Sequence, residues 1–109
     1  MNLENTVIYL YKGNPNSTYL KKNGSWLICN EKTDGYIEIN DPQGKRKEVL
    51  DDDAYAATKY RYPKNDSVYV KNSNGDWFIS NDKTNGFVKI VDPTGERTRN
   101  LNADAVEID

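Results

Sequence analysis

The residue types that usually carry enzymatic chemistry are scarce in this chain. It contains no histidine, so the commonest general base and the nucleophile–histidine pairing are missing. Its single cysteine, Cys29, has no evident base beside it in the sequence. Neither a Cys/His spacing for zinc nor a glycine-rich phosphate loop occurs. The sequence therefore predicts a protein that is not an enzyme and that uses no cofactor and no metal.

Aromatic side chains are the strongest candidates for a binding function, because they recur in matched pairs. The pairs are Tyr19 with Tyr69, Trp26 with Trp77, and Tyr36 with Phe87. Alternation along the strands predicts that the tyrosines and Phe87 point outward and bind a partner, and an adjacent exposed tryptophan would complete a cage for a cation or a proline. The alternative is that these rings fill the sheet or the seam between repeats, with the tryptophans in the core.

Charged side chains offer a second, smaller set of candidates. Four of them would contact phosphates or an acidic partner: Lys45, Arg46, Arg97 and Arg99. The alternative is a solvated hairpin edge that guards against aggregation. The acidic run at residues 51–53 is interpreted as capping a helical turn rather than as a cation site, because the second copy carries Ala103 in its middle.

An internal repeat organises all of these residues. Residues 23–53 align with residues 74–104 at a constant offset, and the match extends upstream through the tyrosines at 9 and 11 with those at 60 and 62. Cys29 is replaced by Ser80 in the second copy. We therefore predict two domains, at residues 1–57 and 58–109. Each is near the lower size limit for independent folding, so the two are expected to pack on each other.

The dominant hydrophobic period is two, which predicts β-strands. Asn23-Gly24 and Asn74-Gly75, and the later Asp34-Gly35 and Asn85-Gly86, are typical of tight hairpin turns. The Asp-Pro-x-Gly segments at 41–44 and 92–95 match a type I turn. These signals predict an all-β protein with five short strands per repeat, at about 6–11, 17–22, 25–30, 35–40 and 45–49 in the first copy, followed by one helical turn.

The order of the motifs in the second copy resembles that of two families of small barrels. It runs Val-Tyr-Val (68–70), Gly-Asp-Trp-Phe-Ile (75–79), Gly-Phe-Val-Lys-Ile (86–90), Gly-Glu (95–96) and Leu-Asn-Ala-Asp-Ala-Val-Glu-Ile (101–108). A central tryptophan strand, a glycine-led third strand and a closing leucine with a helical turn are similar to Tudor-type and Src-homology-three-like barrels. The resemblance covers nearly the whole chain, once per repeat. It implies two tandem, five-stranded, partly open barrels.

Composition limits the partners and the location. The net charge is −2, so no global basic field attracts nucleic acid. No disulfide can form within the chain, no apolar run is long enough for a membrane span, and no signal-peptide pattern is present. These features predict a soluble, intracellular protein with no membrane partner. Its richness in asparagine, lysine and aspartate favours a viral origin.

Three hypotheses for function follow from these patterns. The first is a non-enzymatic protein-interaction module that binds a protein or peptide through outward aromatics on the tandem barrels. The second is nucleic-acid binding by stacking on the same aromatics. The third is a structural, virion-type assembly role: Ile8 and Leu10 form an apolar edge unique to the first copy, which would pair with the second repeat or with another chain in a homodimer.

Overall fold

The computed structural model describes residues 5–108. Each repeat contributes four strands, a nine-residue helix and a final strand. The elements of repeat one are β1 (Tyr9–Leu10), β2 (Thr18–Lys22), β3 (Ser25–Cys29), β4 (Ile37–Glu38), α1 (Lys45–Asp53) and β5 (Tyr55–Ala56). Those of repeat two are β6 (Lys59–Arg61), β7 (Val68–Lys71), β8 (Trp77–Ser80), β9 (Val88–Lys89), α2 (Glu96–Asp104) and β10 (Val106–Ile108).

The strands form two antiparallel five-stranded sheets with the same connectivity. The order is β4-β3-β2-β1-β5 in repeat one, and β9-β8-β7-β6-β10 in repeat two. In both repeats the last strand returns from the helix to pair with the first strand, Leu10 opposite Tyr55 and Arg61 opposite Val106. The prediction of an all-β fold with five strands per repeat is therefore confirmed. Neither helix in residues 5–108 is long and apolar enough to span a membrane.

The predicted fifth strand at 45–49 is wrong, because this segment forms helix α1. The Asp-Pro-x-Gly turn causes the difference. Asp41 closes the turn through its carbonyl to the Gly44 N–H, and its carboxylate accepts the N–H groups of Arg46 and Lys47 at 3.2 and 2.9 Å. Amide groups that a helix leaves unpaired at its start are thus satisfied in advance. The acids at 51–53 consequently lie in the last helical turn, not at a cap before it.

Turn chemistry explains where the two repeats differ in length. Asn23 and Gly24 both have positive φ, 52° and 83°, and form the predicted two-residue hairpin between β2 and β3. The equivalent connection in repeat two is longer, and only Gly75 has positive φ there. Asp34-Gly35 and Asn85-Gly86 were expected in tight hairpins, but they lie in longer loops between the third and fourth strands, with positive φ at the glycine alone.

Three apolar clusters show that both faces of each sheet are covered. One face of each sheet carries a core built from equivalent residues, centred on Tyr19, Trp26 and Leu50 in repeat one and on Tyr69, Trp77 and Leu101 in repeat two. The opposite faces meet in a third cluster, the seam. It contains Ile8, Val68, Val70, Phe78 and Phe87, with Leu20, Tyr36, Ala57 and Ile108 packed against it.

The seam joins the repeats through equivalent parts of each. Asn85 Nδ2 donates to Asp34 Oδ1 at 3.1 Å, and these two residues occupy the same position in the two copies. Contact between equivalent residues is the mark of a two-fold relation. Ile8 is fully buried in the seam, so the apolar edge of copy one packs against the second repeat, which is one of the outcomes expected for it.

Candidate binding grooves

The structure reverses the direction predicted for the paired strand tyrosines. Tyr19 and Tyr69 are each only 1% exposed, and they lie in the cores of their own repeats. Their neighbours Val68 and Val70 are buried as well, in the seam. Alternation assigned the tyrosine face of the strand to solvent, but the helix of the same repeat covers that face through Leu50 or Leu101. The prediction that these tyrosines point outward is therefore wrong.

The two tryptophans are core residues and form no cage. Trp26 is 5% and Trp77 4% exposed. The indole N–H of Trp26 donates to Asp51 Oδ1 at 2.9 Å, and that of Trp77 to Asn102 Oδ1 at 3.0 Å. Tyr36 and Phe87, which a cage would require beside them, belong instead to the seam.

Tyr36 and Phe87 meet the opposite repeat rather than solvent. Phe87 is fully buried, so its predicted outward direction is wrong. The Tyr36 hydroxyl lies 2.7 Å from the hydroxyl of Thr18, and burial raises the pKa of Tyr36 well above its usual range. The Cys29 thiol donates to the Phe87 carbonyl oxygen at 3.4 Å, and burial raises its pKa also. The alternation that turned Tyr36 outward also predicted that its neighbour Ile37 faces inward, but Ile37 is 48% exposed on edge strand β4.

Three of the four predicted basic contacts line grooves beside the helices. Lys45 and Arg46 line a groove in repeat one, and Arg97 lines its counterpart in repeat two. Arg99 lies outside both grooves, where its guanidinium donates to the Thr94 carbonyl oxygen at 3.4 Å. The structure thus brings Tyr19 together with Lys45 and Arg46, and Tyr69 with Arg97. The tryptophans pack edge-on against these tyrosines in the cores but line neither groove, and Tyr36 and Phe87 lie in the seam.

Groove one lies between α1 and the loop that joins β1 to β2. Its volume is about 290 Å³. The wall on the sheet side comes from Tyr11, Asn14 and Tyr19, and the helix supplies Lys45, Arg46, Val49 and Leu50. The Asn14 amide donates to the Tyr19 hydroxyl at 3.0 Å, so the buried phenol is satisfied without a ligand. Groove one therefore has an apolar floor with exposed cations above it.

Groove two repeats this arrangement in the second copy. It has a volume of about 200 Å³ and is lined by Tyr62, Asn65, Tyr69, Arg97, Asn100 and Leu101. Asn65 donates to the Tyr69 hydroxyl at 2.7 Å, as Asn14 does to Tyr19. Asn100 takes the place of Val49, which makes the lining of groove two more polar.

Only positive charge lines either groove, although the chain as a whole is acidic. No Asp or Glu of the described residues 5–108 is among the lining residues of the two grooves. Asp41 and Asp92 are occupied at the helix starts, where hydrogen bonds from helix groups, Lys47 N–H foremost for Asp41 and the Thr98 hydroxyl foremost for Asp92, lower the pKa of each carboxyl. The grooves therefore favour a ligand that carries negative charge beside an apolar group.

Sequence reasoning missed four residues of groove one: Tyr11, Asn14, Val49 and Leu50. A signal for them exists. Tyrosine is followed three residues later by asparagine in both copies, at 11–14 and 62–65, and leucine recurs at 50 and 101. The helical position of the leucines was hidden, because the segment before them was expected to be a strand.

Comparison with known proteins found no matching family model, no similar curated protein and no similar solved structure.

Proposed function

We propose that this protein is a non-enzymatic interaction module that binds acidic peptide segments of a partner protein, one in each groove. The observation that carries the proposal is the duplication of one groove from equivalent residues, a tyrosine pair, an asparagine, an arginine and a leucine, with no opposing negative charge. A leucine-sized side chain would occupy the apolar floor, and flanking carboxylates would contact Arg46 and Lys45 or Arg97.

The shape of each repeat is consistent with this proposal. The fifth strand of each sheet lies beside the first, at the opposite side from the fourth. This order, with five short strands, supports closure of each sheet into a small barrel of the Tudor or Src-homology-three-like kind. The groove then lies between the barrel wall and the helix that precedes the closing strand.

A peptide fits the grooves better than a nucleic acid does. Single-stranded nucleic acid needs a basic track along its backbone and exposed aromatic faces on which bases stack. Each groove offers one or two cations, and Tyr19 and Tyr69 are buried. The charge of −2 on the whole chain further opposes a polyanion.

Calorimetric titration of the full chain tests the proposal. The probe is a capped pentapeptide with one leucine flanked on each side by two glutamates, compared with the same peptide carrying glutamine for glutamate. We expect the acidic probe to bind at two sites and the glutamine probe to bind much more weakly. Arg46→Glu and Arg97→Glu, each made alone, should abolish binding at its own groove, whereas Arg99→Glu, a control of equal charge change outside both grooves, should retain binding at both.

Four results would count against the proposal. Equal binding by the two probes, or equal loss in the Arg99 control, would show that the grooves do not select charge. Tighter binding of a single-stranded oligonucleotide, with steep salt dependence, would favour nucleic-acid binding. Self-association of the chain that the acidic probe fails to disrupt would favour the assembly role.

A further inference from the structure

A second kind of cavity opens in repeat two, at the loop that joins β6 to β7. Its volume is about 620 Å³. The lining is polar almost throughout: Arg61, Asn65, Asp66, Ser67, Val68, Ser80, Asn81, Asp82 and Lys83. Aromatic rings are missing from this lining, in contrast to the two grooves. The cleft therefore calls for a ligand of a different chemistry.

The Ser80 side chain in this cleft is buried without a hydrogen-bond partner. The residue is 3% exposed, and its hydroxyl is the one buried side-chain polar atom of residues 5–108 that has no partner. Buried polar groups are nearly always paired, so an unpaired one marks a site that something else completes. Cys29, at the same position in repeat one, donates its thiol to the Phe87 carbonyl oxygen. Ser80 is thus the unsatisfied member of the pair.

Small differences in loop length distinguish the two repeats at this place. The loop before β2 is one residue longer than the loop before β7, and it includes Pro15. The longer hairpin of repeat two reaches this loop, where Asn72 Nδ2 donates to the Pro15 carbonyl oxygen at 2.7 Å. Lys89 also donates to Asn16 there, at 3.1 Å. The loop before β7 is one residue shorter than the loop before β2, and the β2–β3 hairpin of repeat one is one residue shorter than the β7–β8 hairpin of repeat two. The cleft opens beside the loop before β7.

The lining residues indicate the charge of the ligand. Two cations, Arg61 and Lys83, are balanced by two carboxylates, Asp66 and Asp82. A site with no net charge gives an anion or a cation no advantage, and its mixture of donors and acceptors suits hydroxyl groups, which both donate and accept. The Asn81 amide donates to the Ser67 hydroxyl at 2.9 Å, which leaves the Ser67 proton available to a ligand.

We infer that this cleft binds a small neutral polyhydroxylated molecule of monosaccharide size, with the Ser80 hydroxyl bonded to one ligand hydroxyl. The volume lies within the usual range of about 300 to 1,000 Å³ for small-molecule sites. Ser80 already lines the cleft, so rotation about its single side-chain torsion would bring its hydroxyl to the ligand. This site is separate in chemistry from the acidic-peptide grooves and does not depend on them.

Amide NMR spectra of the full chain, titrated with D-glucose, D-galactose or N-acetylglucosamine, test the inference. We expect at least one of the three to shift the signals of Ser67, Ser80 and Asn81 saturably. Ser80→Ala should lower the affinity for that sugar by roughly threefold to tenfold, the effect of one hydrogen bond. The matched control is Cys29→Ala, which makes the corresponding truncation in repeat one and should leave the affinity unchanged.

Several outcomes would overturn the inference. The inference is wrong if none of the three sugars shifts the NMR signals saturably. It is also wrong if Ser80→Ala leaves the shifts unaltered. Inorganic phosphate that binds the cleft more tightly than every sugar would contradict the neutral character of the ligand. Because Ser80→Ala removes an unsatisfied buried group, the variant should fold and melt at or above the wild-type temperature, so its loss of binding cannot be attributed to unfolding.

Discussion

The indole N–H of Trp26 donates to Asp51 Oδ1 at 2.9 Å and thereby fastens the last turn of helix α1 to strand β3. Lys21 donates to the same oxygen at 2.9 Å, and its ammonium lies 5.3 Å from the centre of the Trp26 ring. Lys47 contacts the other carboxylate oxygen at 2.6 Å. Together these bonds lower the pKa of Asp51 far below its usual range, the Lys47 bond foremost. The helix that forms one wall of groove one is therefore held in place at its end.

Repeat two indicates which of these bonds matters most. Asn102 occupies the position of Asp51 and keeps the indole bond without a formal charge. We therefore expect Asp51→Asn to lower the melting temperature only slightly, and less so in high salt, because the exposed ion pairs are screened. Asp51→Ala should lower it further, since it leaves the buried Trp26 N–H unpaired. Thermal unfolding checks this order, with Asp52→Ala as a control; equal effects of the two Asp51 variants would contradict it.

A close approach of the two repeats predicts that Gly86 does not tolerate substitution. Gly86 has φ of 92°, and a Cβ atom there would lie 2.8 Å from Cys29 Sγ and 2.9 Å from the Tyr36 ring. Gly86→Ala should cost about 1–2 kcal/mol for the left-handed backbone, and about 1–3 kcal/mol more for overpacking. Gly75 is the matched control, because its φ is 87° and nothing lies within 4 Å of its Cβ position.

Chemical denaturation of the two alanine variants separates the backbone cost from the packing cost. Gly75→Ala should lower the free energy of unfolding only by the cost of the left-handed backbone, whereas Gly86→Ala should also show the cost of overpacking. If Gly86→Ala is no less stable than Gly75→Ala, then the two repeats do not approach each other as closely as the seam requires.

Local signals in the sequence were sufficient to predict much of the fold. Asn23-Gly24 forms the expected hairpin because the two-residue turn needs positive φ at both positions, and those residue types tolerate it best. The helix at 45–53 was missed because the residues that start it, Asp41 and Gly44, also match a β-turn. The β-turn and the start of the helix form one continuous segment here, so local propensity does not distinguish a turn from the start of a helix.

The direction of the strand side chains required knowledge that the sequence does not carry locally. Alternation separates the two faces of a strand correctly, since Tyr69 and Val70 do lie on opposite sides. It does not reveal that helix α2 covers the tyrosine face, or that the other repeat covers the valine face. Two of the predicted aromatics, Phe87 and Tyr36, entered the seam, whereas Arg46 and Arg97 remained at a surface groove.

The raised pKa values in the seam predict a loss of stability at alkaline pH. Cys29 and Tyr36 titrate above their ordinary values of 9.0 and 10.0 in the folded state, mainly because burial disfavours their charged forms. Above pH 9.0 the unfolded chain releases these protons first, so the free energy of unfolding falls as the pH rises. Cys29→Ser with Tyr36→Phe should flatten this decline in denaturation curves; an unchanged slope would contradict the assignment.

The lowered pKa values of aspartates at the helices predict how stability falls at acidic pH. Asp41, Asp51 and Asp92 keep their charge below the ordinary aspartate pKa of 3.8 when folded, each held mainly by a hydrogen bond. The unfolded chain takes up protons first as the pH falls, so stability is retained above pH 3.8 and lost below it. Because no histidine is present, we expect a flat profile between the two limbs. Equilibrium denaturation across the pH range should show this plateau.

The difference between the two grooves predicts that they bind the same acidic probe unequally. Val49 lines groove one, and Asn100 takes its place in groove two. Covering an apolar side chain contributes about 1 kcal/mol more than covering an amide of similar size, or a factor of roughly five in affinity. Groove one should therefore bind the leucine-containing pentapeptide more tightly, Val49→Asn should weaken it there, and Asn100→Val should strengthen groove two. NMR signals of the Tyr11 and Tyr62 rings assign each affinity to its groove.

The control is Val91→Asn, since Val91 is 84% exposed and lines neither groove. A loss shared equally by both grooves in Val49→Asn would mean that the variant perturbs the fold, whereas independent changes of opposite sign would establish that each repeat carries its own site.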